Sequence, residues 1–250
     1  MIITKIPSSS GSLNRNKGCE KAPDMILNEL RNIEINESFR EIKYEVSEVK
    51  ISSDNPDETN RNIENARGDI FIGGDHSITY SLFKSMKSKS KGLIIFDAHL
   101  DLDNYTKTPT HEDYLKKLID EKILNPKSLI IIGARKFWKN EMEYARKNSI
   151  KILTPKNLSN LSYVCESVME SFRDFDELYI SIDIDVLDPS IVKGTYYTEP
   201  NGLTLRQLLF FLNKLKLLKN VSKVDLVEAN PDIEEELTIK TCAKIISELL

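Results

Sequence analysis

The sequence predicts a single α/β domain built on a mainly parallel sheet. Short runs rich in Ile, Leu and Val recur along the chain. Several are continuous apolar blocks rather than alternating ones, as expected of strands covered on both faces. Amphipathic stretches of helix length separate them, so strand and helix alternate throughout residues 1–250. That alternation implies right-handed crossovers within one domain.

Strands are expected at 2–6, 42–51, 69–72, 93–96, 129–132, 150–153, 178–182 and 224–227. Helices are expected at 22–32, 78–86, 111–123, 139–148, 161–172, 205–219 and 233–250. Two polar stretches read as loops. Residues 8–21 are rich in Ser, Asn and Gly, and residues 52–68 are polar and contain Pro56. The Lys/Ser tract 84–91 reads as a solvated helix end. No linker or internal repeat interrupts the pattern.

Composition narrows the function classes. Of 250 residues, 40% are hydrophobic and 30% charged, enough for a sizeable core and too apolar for a disordered chain. Acidic residues number 39 against 35 basic, for a net charge of −4 and a pI near 5.6. That balance argues against a nucleic-acid partner gripped through phosphates and against docking on an anionic membrane. Cys19, Cys165 and Cys242 are far apart and form no CxxC, which excludes a zinc ribbon or a thioredoxin-type site. So sparse and odd a count fits a reducing compartment. The first ten residues lack a signal-peptide core, and no run of 18 apolar residues occurs, so a cytoplasmic location is expected.

The chemistry is concentrated around three histidines. Gly73-Gly74-Asp75-His76-Ser77 follows the apolar run Ile70-Phe71-Ile72, which presents His76 at the carboxyl end of a strand. Ser77 is expected to cap the next helix. Asp97-Ala98-His99-Leu100-Asp101 follows Leu93–Phe96. If the chain stays extended there, Asp97, His99 and Asp101 share one face. Asp183 and Asp185 likewise follow the strand at 178–182, and Asp188, before Pro189, reads as turn chemistry. Acids and imidazoles crowded on one face repel one another unless a cation lies among them. Two imidazoles, four carboxylates and no thiolate exceed the needs of one divalent ion. The set suits manganese among other metals, and a pair of ions roughly 3.5–4 Å apart.

These motifs resemble those of the ureohydrolase (arginase/agmatinase) family, in order and nearly residue for residue. Gly194-Thr195 with Glu199-Pro200 and Gly202-Leu203-Thr204 extends the resemblance. So do 225–231 (Asp-Leu-Val-Glu-Ala-Asn-Pro), Thr238 with Thr241, and Gly18 with Ala22-Pro23. The resemblance implies a three-layer α/β/α fold with an eight-stranded, mostly parallel sheet; a closed (β/α)₈ barrel is the alternative. It implies two Mn²⁺ per chain. His76, Asp97, Asp101 and Asp183 would hold one, and Asp97, His99, Asp183 and Asp185 the other. The implied activity is hydrolysis of a guanidino group to urea and an amine. Asp101 would pass a proton to the leaving amine, and Glu228 would clamp the guanidinium. His111 matches the proton-shuttling histidine near the cleft mouth. A homo-oligomer, trimer or hexamer, is implied as well.

The chain also departs from the family pattern. Glu112 follows His111 where glycine is usual, and Tyr196-Tyr197 stand where the family has small residues. The segment from Asp101 to His111 lacks the Ser-x-Asn pattern of arginases and matches the agmatinase length. An agmatine-like substrate is therefore expected. The alternatives are formimidoylglutamate hydrolysis releasing formamide, and a non-catalytic metal-binding relative. A single-zinc deacetylase is disfavoured by the double carboxylate set.

Overall fold

The structure, a computed structural model, describes residues 1–52, 54–105 and 107–250. Ser53 and Thr106, in stretches expected as loops, lie outside the described residues. Eight strands form one sheet: β1 (Ile2–Ile6), β2 (Glu45–Glu48), β3 (Ile70–Gly73), β4 (Lys91–Phe96), β5 (Leu129–Ile132), β6 (Lys151–Leu153), β7 (Glu177–Asp183) and β8 (Val221–Val227). All neighbours are parallel, in the order β2-β1-β3-β8-β7-β4-β5-β6. β2 and β6 each have one strand partner among the described residues, so the sheet is open and the barrel alternative is excluded.

Among the described residues, eight α-helices flank the sheet: α1 (Ala22–Leu30), α2 (Pro56–Glu64), α3 (Ile78–Lys84), α4 (Tyr114–Asp120), α5 (Lys139–Lys147), α6 (Leu161–Phe172), α7 (Leu205–Leu215) and α8 (Glu236–Leu249). Because side chains alternate along a strand, each inner strand feeds two cores. Ile94 and Phe96 of β4 join the core under α1, α6, α7 and α8, whereas Leu93 and Ile95 join the one under α2, α3, α4 and α5. Both faces are thus covered, and this explains the continuous Ile/Leu/Val blocks.

Two expectations are corrected. Residues 52–68 are not all loop, because α2 occupies Pro56–Glu64. Only Thr59 and Ile63 of that helix are buried, so it carries almost no hydrophobic period. Its signal is at the start. Asn55 accepts a hydrogen bond from the Glu58 amide, Pro56 holds the first position, and Asp57 and Glu58 sit in the first turn. The second strand, expected over 42–51, is confined to Glu45–Glu48, whose four residues are exposed. An edge strand gains nothing from apolar side chains on its open faces, and its glutamates discourage pairing with other chains.

Right-handed parallel connections bring every strand's carboxyl end to one edge of the sheet. The adjacent strands β3, β8, β7 and β4 lie at its middle, and the chemically distinctive residues follow them.

Asn55→Ala is expected to lower stability by about 1 kcal/mol through loss of the α2 cap, measured by denaturant unfolding.

Candidate metal centre and substrate cavity

β3 ends at Gly73 against the loop that leaves β1. The Gly74 amide donates to Ile6 O and the Asp75 amide to Ser8 O, and the Glu228 amide donates to Gly74 O at 2.7 Å. A Cβ on Gly74 would lie 2.0 Å from the Ser8 carbonyl oxygen, so only glycine fits there. Ser77 does not cap α3 with its side chain. Asp75 accepts the Ser77 amide instead, together with that of Gly11, and so ties the β1 loop to the site. Asp75 is buried, and burial followed by nearby Glu228 pushes its carboxyl up to about 6.

Asp97, His99 and Asp101 do converge, though not along an extended strand. β4 stops at Phe96, and Asp101 has φ +50°. Asp97 accepts the His99 amide, folding the segment back on itself. β7 likewise runs into a 3₁₀ turn at Ile184–Val186, where Asp183 accepts the Asp185 amide. Asp185 in turn accepts the Ala98 amide, joining the two segments. Asp188 behaves as turn chemistry, accepting from Ser190 and Gly202.

His76 lies buried among these carboxylates. Its Nδ1 is 3.2 Å from Asp97 Oδ2, 3.2 Å from Asp101 Oδ2 and 3.3 Å from Asp183 Oδ2. No hydrogen-bond partner satisfies that nitrogen. Its Nε2 meets Ser181 Oγ at 2.8 Å and Tyr114 Oη at 3.0 Å. Ser181 donates onward to Asp225, which also accepts from Tyr179 and Thr79. A serine whose proton is committed to Asp225 accepts from Nε2–H, which leaves the Nδ1 lone pair facing the carboxylates. His99 Nδ1 lies 2.9 Å from Asp185 Oδ2 and 3.4 Å from Asp97 Oδ1.

His76, Asp97 and Asp101 thus form one ligand-capable group, and Asp97, His99 and Asp185 another, with Asp97 common to both. Asp183 reaches the first through Oδ2. Burial and the adjacent Asp97 push the Asp101 carboxyl up, and burial, Asp185 and Asp97 do the same to Asp183. Burial opposes ionisation of Asp97 as well, yet His76 and His99 hold it well below the usual carboxylate range. A divalent cation relieves this repulsion and uses the orphaned nitrogen, so the residues present fit a metal pair.

Glu228 follows β8 with φ +68°, a strained conformation for a non-glycine residue. Its carboxylate accepts the His76 amide at 2.6 Å, Asn16 Nδ2 at 2.7 Å and His111 Nδ1 at 3.2 Å. Burial disfavours charge on His111, but Glu228 overrides it and pushes the imidazole up to about 9. His111 is not at the mouth as expected. It is 4% exposed and lies beneath Tyr197, whose ring centre is 6.0 Å away.

His99, Asp101, His111, Asp183, Asp185 and Glu228 line a cavity of about 380 Å³. The sequence reading missed Asn16, Tyr114, Asp225 and Arg135. The Arg135 guanidinium donates to the carbonyls of Gly133, Asp185, Val186, Leu187, Glu199 and Pro200, fastening the Asp185 turn to the 199–200 segment. Single residues in polar or unpatterned stretches carry no spacing signal. Ser181 and Asp225 lay inside quoted segments, with no role assigned to either.

A family model for the arginase family matches residues 1–250. The chain belongs to the arginase family. Within it, the chain is 31% identical over 200 residues to an arginase of Entamoeba histolytica, covering 72% of this chain and 68% of that one. It is 33% identical over 189 residues to a formimidoylglutamase of Halalkalibacterium halodurans, covering 71% of this chain and 58% of that one. Among solved structures, the formimidoylglutamase of Bacillus subtilis superposes with a TM-score of 0.92 at 23% identity, covering 99% and 85% of the two chains. The agmatine ureohydrolase of Thermoplasma volcanium gives 0.85 at 22%, covering 99% and 87%. Both structures share this chain's α/β fold. Among the described residues, no helix is long and apolar enough to cross a membrane.

Gly74→Ala is expected to cost about 1–3 kcal/mol by forcing the Ser8 backbone aside. It should also lower metal content, because His76 moves with the turn; denaturation and elemental analysis check the two effects.

Proposed function

We propose that the protein is a binuclear manganese hydrolase of linear amidines, and that its substrate is a guanidino compound with an amine-bearing tail, of the agmatine type. The observation that carries the hydrolase reading is the buried nest of Asp97, Asp101, Asp183 and Asp185 around His76 and His99, open to a cavity that also holds Glu228. Asp97 and Asp183 would be shared between two ions. When bound, such a pair makes water a nucleophile near neutral pH.

The remaining roles belong to side chains. Glu228 is ionised and preorganised by three donors, and it offers a guanidinium charge-assisted hydrogen bonds. Asp101, crowded by Asp97, is the carboxyl that takes a proton and gives it to the leaving amine. His111, with Nδ1 on Glu228 and Nε2 unpartnered, is the group that exchanges protons with the cavity.

The tail preference is read from the rim. Among the described residues, Asp103, Glu112 and Glu199 line the cavity, and Arg15 and Lys136 are its arginine and lysine side chains. Arg15 is engaged by Glu112, and Lys136 Nζ lies 4.0 Å from Glu199. Among the described residues, no lysine or arginine pairs with Asp103. A substrate ammonium meets uncompensated acid there, whereas an α-carboxylate finds no free cation and would be desolvated unpaired. The 33% identity to a formimidoylglutamase supports the formimidoyl alternative, though no better than the arginase likeness supports a guanidino substrate, and the products separate the two readings. A cytoplasmic location and a homo-oligomer complete the proposal.

Two outcomes are expected. Asp183→Ala should reduce bound manganese from about two ions per chain to about one or fewer, by elemental analysis after loading. Under manganese saturation, kcat/KM for agmatine should exceed that for arginine by about tenfold or more, with urea as product. A ratio favouring arginine would overturn the rim reading, and formamide from formimidoylglutamate with no urea from either guanidine would select the alternative.

A further inference from the structure

The two departures from the family pattern meet in space. Tyr197 Oη donates to Glu112 Oε1 at 2.7 Å. Arg15 donates to the Tyr197 hydroxyl and is ion-paired with the same Glu112 oxygen. The three residues come from three separate segments: the loop after β1, the turn before α4, and the stretch after the Asp185 turn. The β1 loop is tied to this place a second time, since the His111 amide donates to Gly11 O at 3.0 Å. The tether holds the tyrosine ring over two site imidazoles, with its centre 5.3 Å from that of His99 and 6.0 Å from that of His111. Tyr196 packs edge-on behind it at 4.8 Å, 46% exposed, and acts as a buttress rather than a lining residue.

We propose that Arg15, Glu112 and Tyr197 form a latch across the cavity mouth, and that the latched Tyr197 ring is the specificity-determining wall that admits slender, unbranched tails and rejects bulky head groups. The residue identities are mutually dependent. A glycine at position 112 leaves the hydroxyl without its acceptor, and a small residue at 197 leaves Glu112 and Arg15 holding nothing over the histidines. The ring stands over His99 and His111, so a tail extending from the site toward this side passes beside it. An aromatic face and edge suit methylene groups, while the hydroxyl tip is already spent on its two partners. Arg15 is spent too, so the latch removes the cavity-lining guanidinium that would recognise a carboxylate. Tyr197 acts on substrate directly; Arg15 and Glu112 are positioning residues.

This inference rests on the amidine-hydrolase reading, and two readouts keep them apart. The first is the arginine-to-agmatine ratio of kcat/KM in the manganese-loaded protein. Tyr197→Gly should raise it by about tenfold or more. Tyr197→Phe and Glu112→Ala, which release the ring without deleting it, should raise it by a smaller factor, mainly through the KM for agmatine. Glu112→Gln keeps an acceptor for the hydroxyl and should stay near the parent value. The second is the rate at which diethyl pyrocarbonate modifies His111, followed by peptide mass spectrometry. It needs no turnover and should rise in the same order of variants. If Tyr197→Gly changes neither the ratio beyond twofold nor the modification rate, the latch is refuted. If Tyr197→Gly does not fold, Tyr197→Phe and Glu112→Ala decide by the same criteria. If the parent protein hydrolyses no guanidino or formimidoyl compound, the reaction reading falls, and His111 reactivity still judges the latch.

Discussion

The structure turns on one electrostatic constraint, the crowding of Asp97, Asp101 and Asp183 about a single unpaired nitrogen of His76. Buried carboxylates so close cannot all be ionised without a compensating cation. Much else near the centre serves to hold them there. Asp97 and Asp183 each accept an amide from two residues ahead, which curls their segments inward. Asp225, fully buried in the sheet and satisfied by Tyr179, Thr79 and Ser181, fixes the proton on the far side of the His76 ring. Arg135 fastens the Asp185 turn from beneath with a guanidinium satisfied by main-chain carbonyls. The fold supplies such fastenings cheaply because the ligands follow neighbouring strands.

The open sheet explains why these residues can be far apart in sequence. Between Asn16 and Glu228, which share a hydrogen bond, lies most of the chain. In a parallel sheet with crossovers of one hand, every strand ends at the same edge, so separation in sequence does not matter. Position in the sheet does. The four strands that deliver ligands and the Glu228 carboxylate are contiguous, and the strands that deliver none lie outside them. Two of the site residues, Asp101 and Glu228, are held at positive φ.

Much of this was legible in the sequence. Buried strands announce themselves because two apolar faces leave no polar alternation, and Leu93–Phe96 and Leu129–Ile132 were placed to within a few residues. Motifs dense in Asp and His announce a metal because few other environments tolerate them. The mechanism inferred for their convergence was nevertheless wrong in detail. A period of two assumes an extended chain, whereas turns after Phe96 and Asp183 do the gathering. Helix α2 was missed because its evidence lay in a cap and not in a hydrophobic stripe. His111 was placed too near solvent because a tyrosine 86 positions away in sequence, Tyr197, covers it. Nothing local to His111 encodes that cover, and the same holds for the Arg15–Glu112–Tyr197 contact.

The place of β8 has a consequence for how the molecule comes into being. It is the last strand in sequence yet lies at the centre of the sheet, paired on one side with β3 and on the other with β7. Before it docks, β2-β1-β3 and β7-β4-β5-β6 are two half-sheets with open inner edges. Each exposes unpaired amides and carbonyls flanked by Ile and Leu, which is the surface most prone to pairing with another chain. Both inner edges therefore stay open until β8 has been made and pairs with β3 and β7. The strand that closes the gap leads directly into Glu228, so sealing the sheet and placing that carboxylate go together.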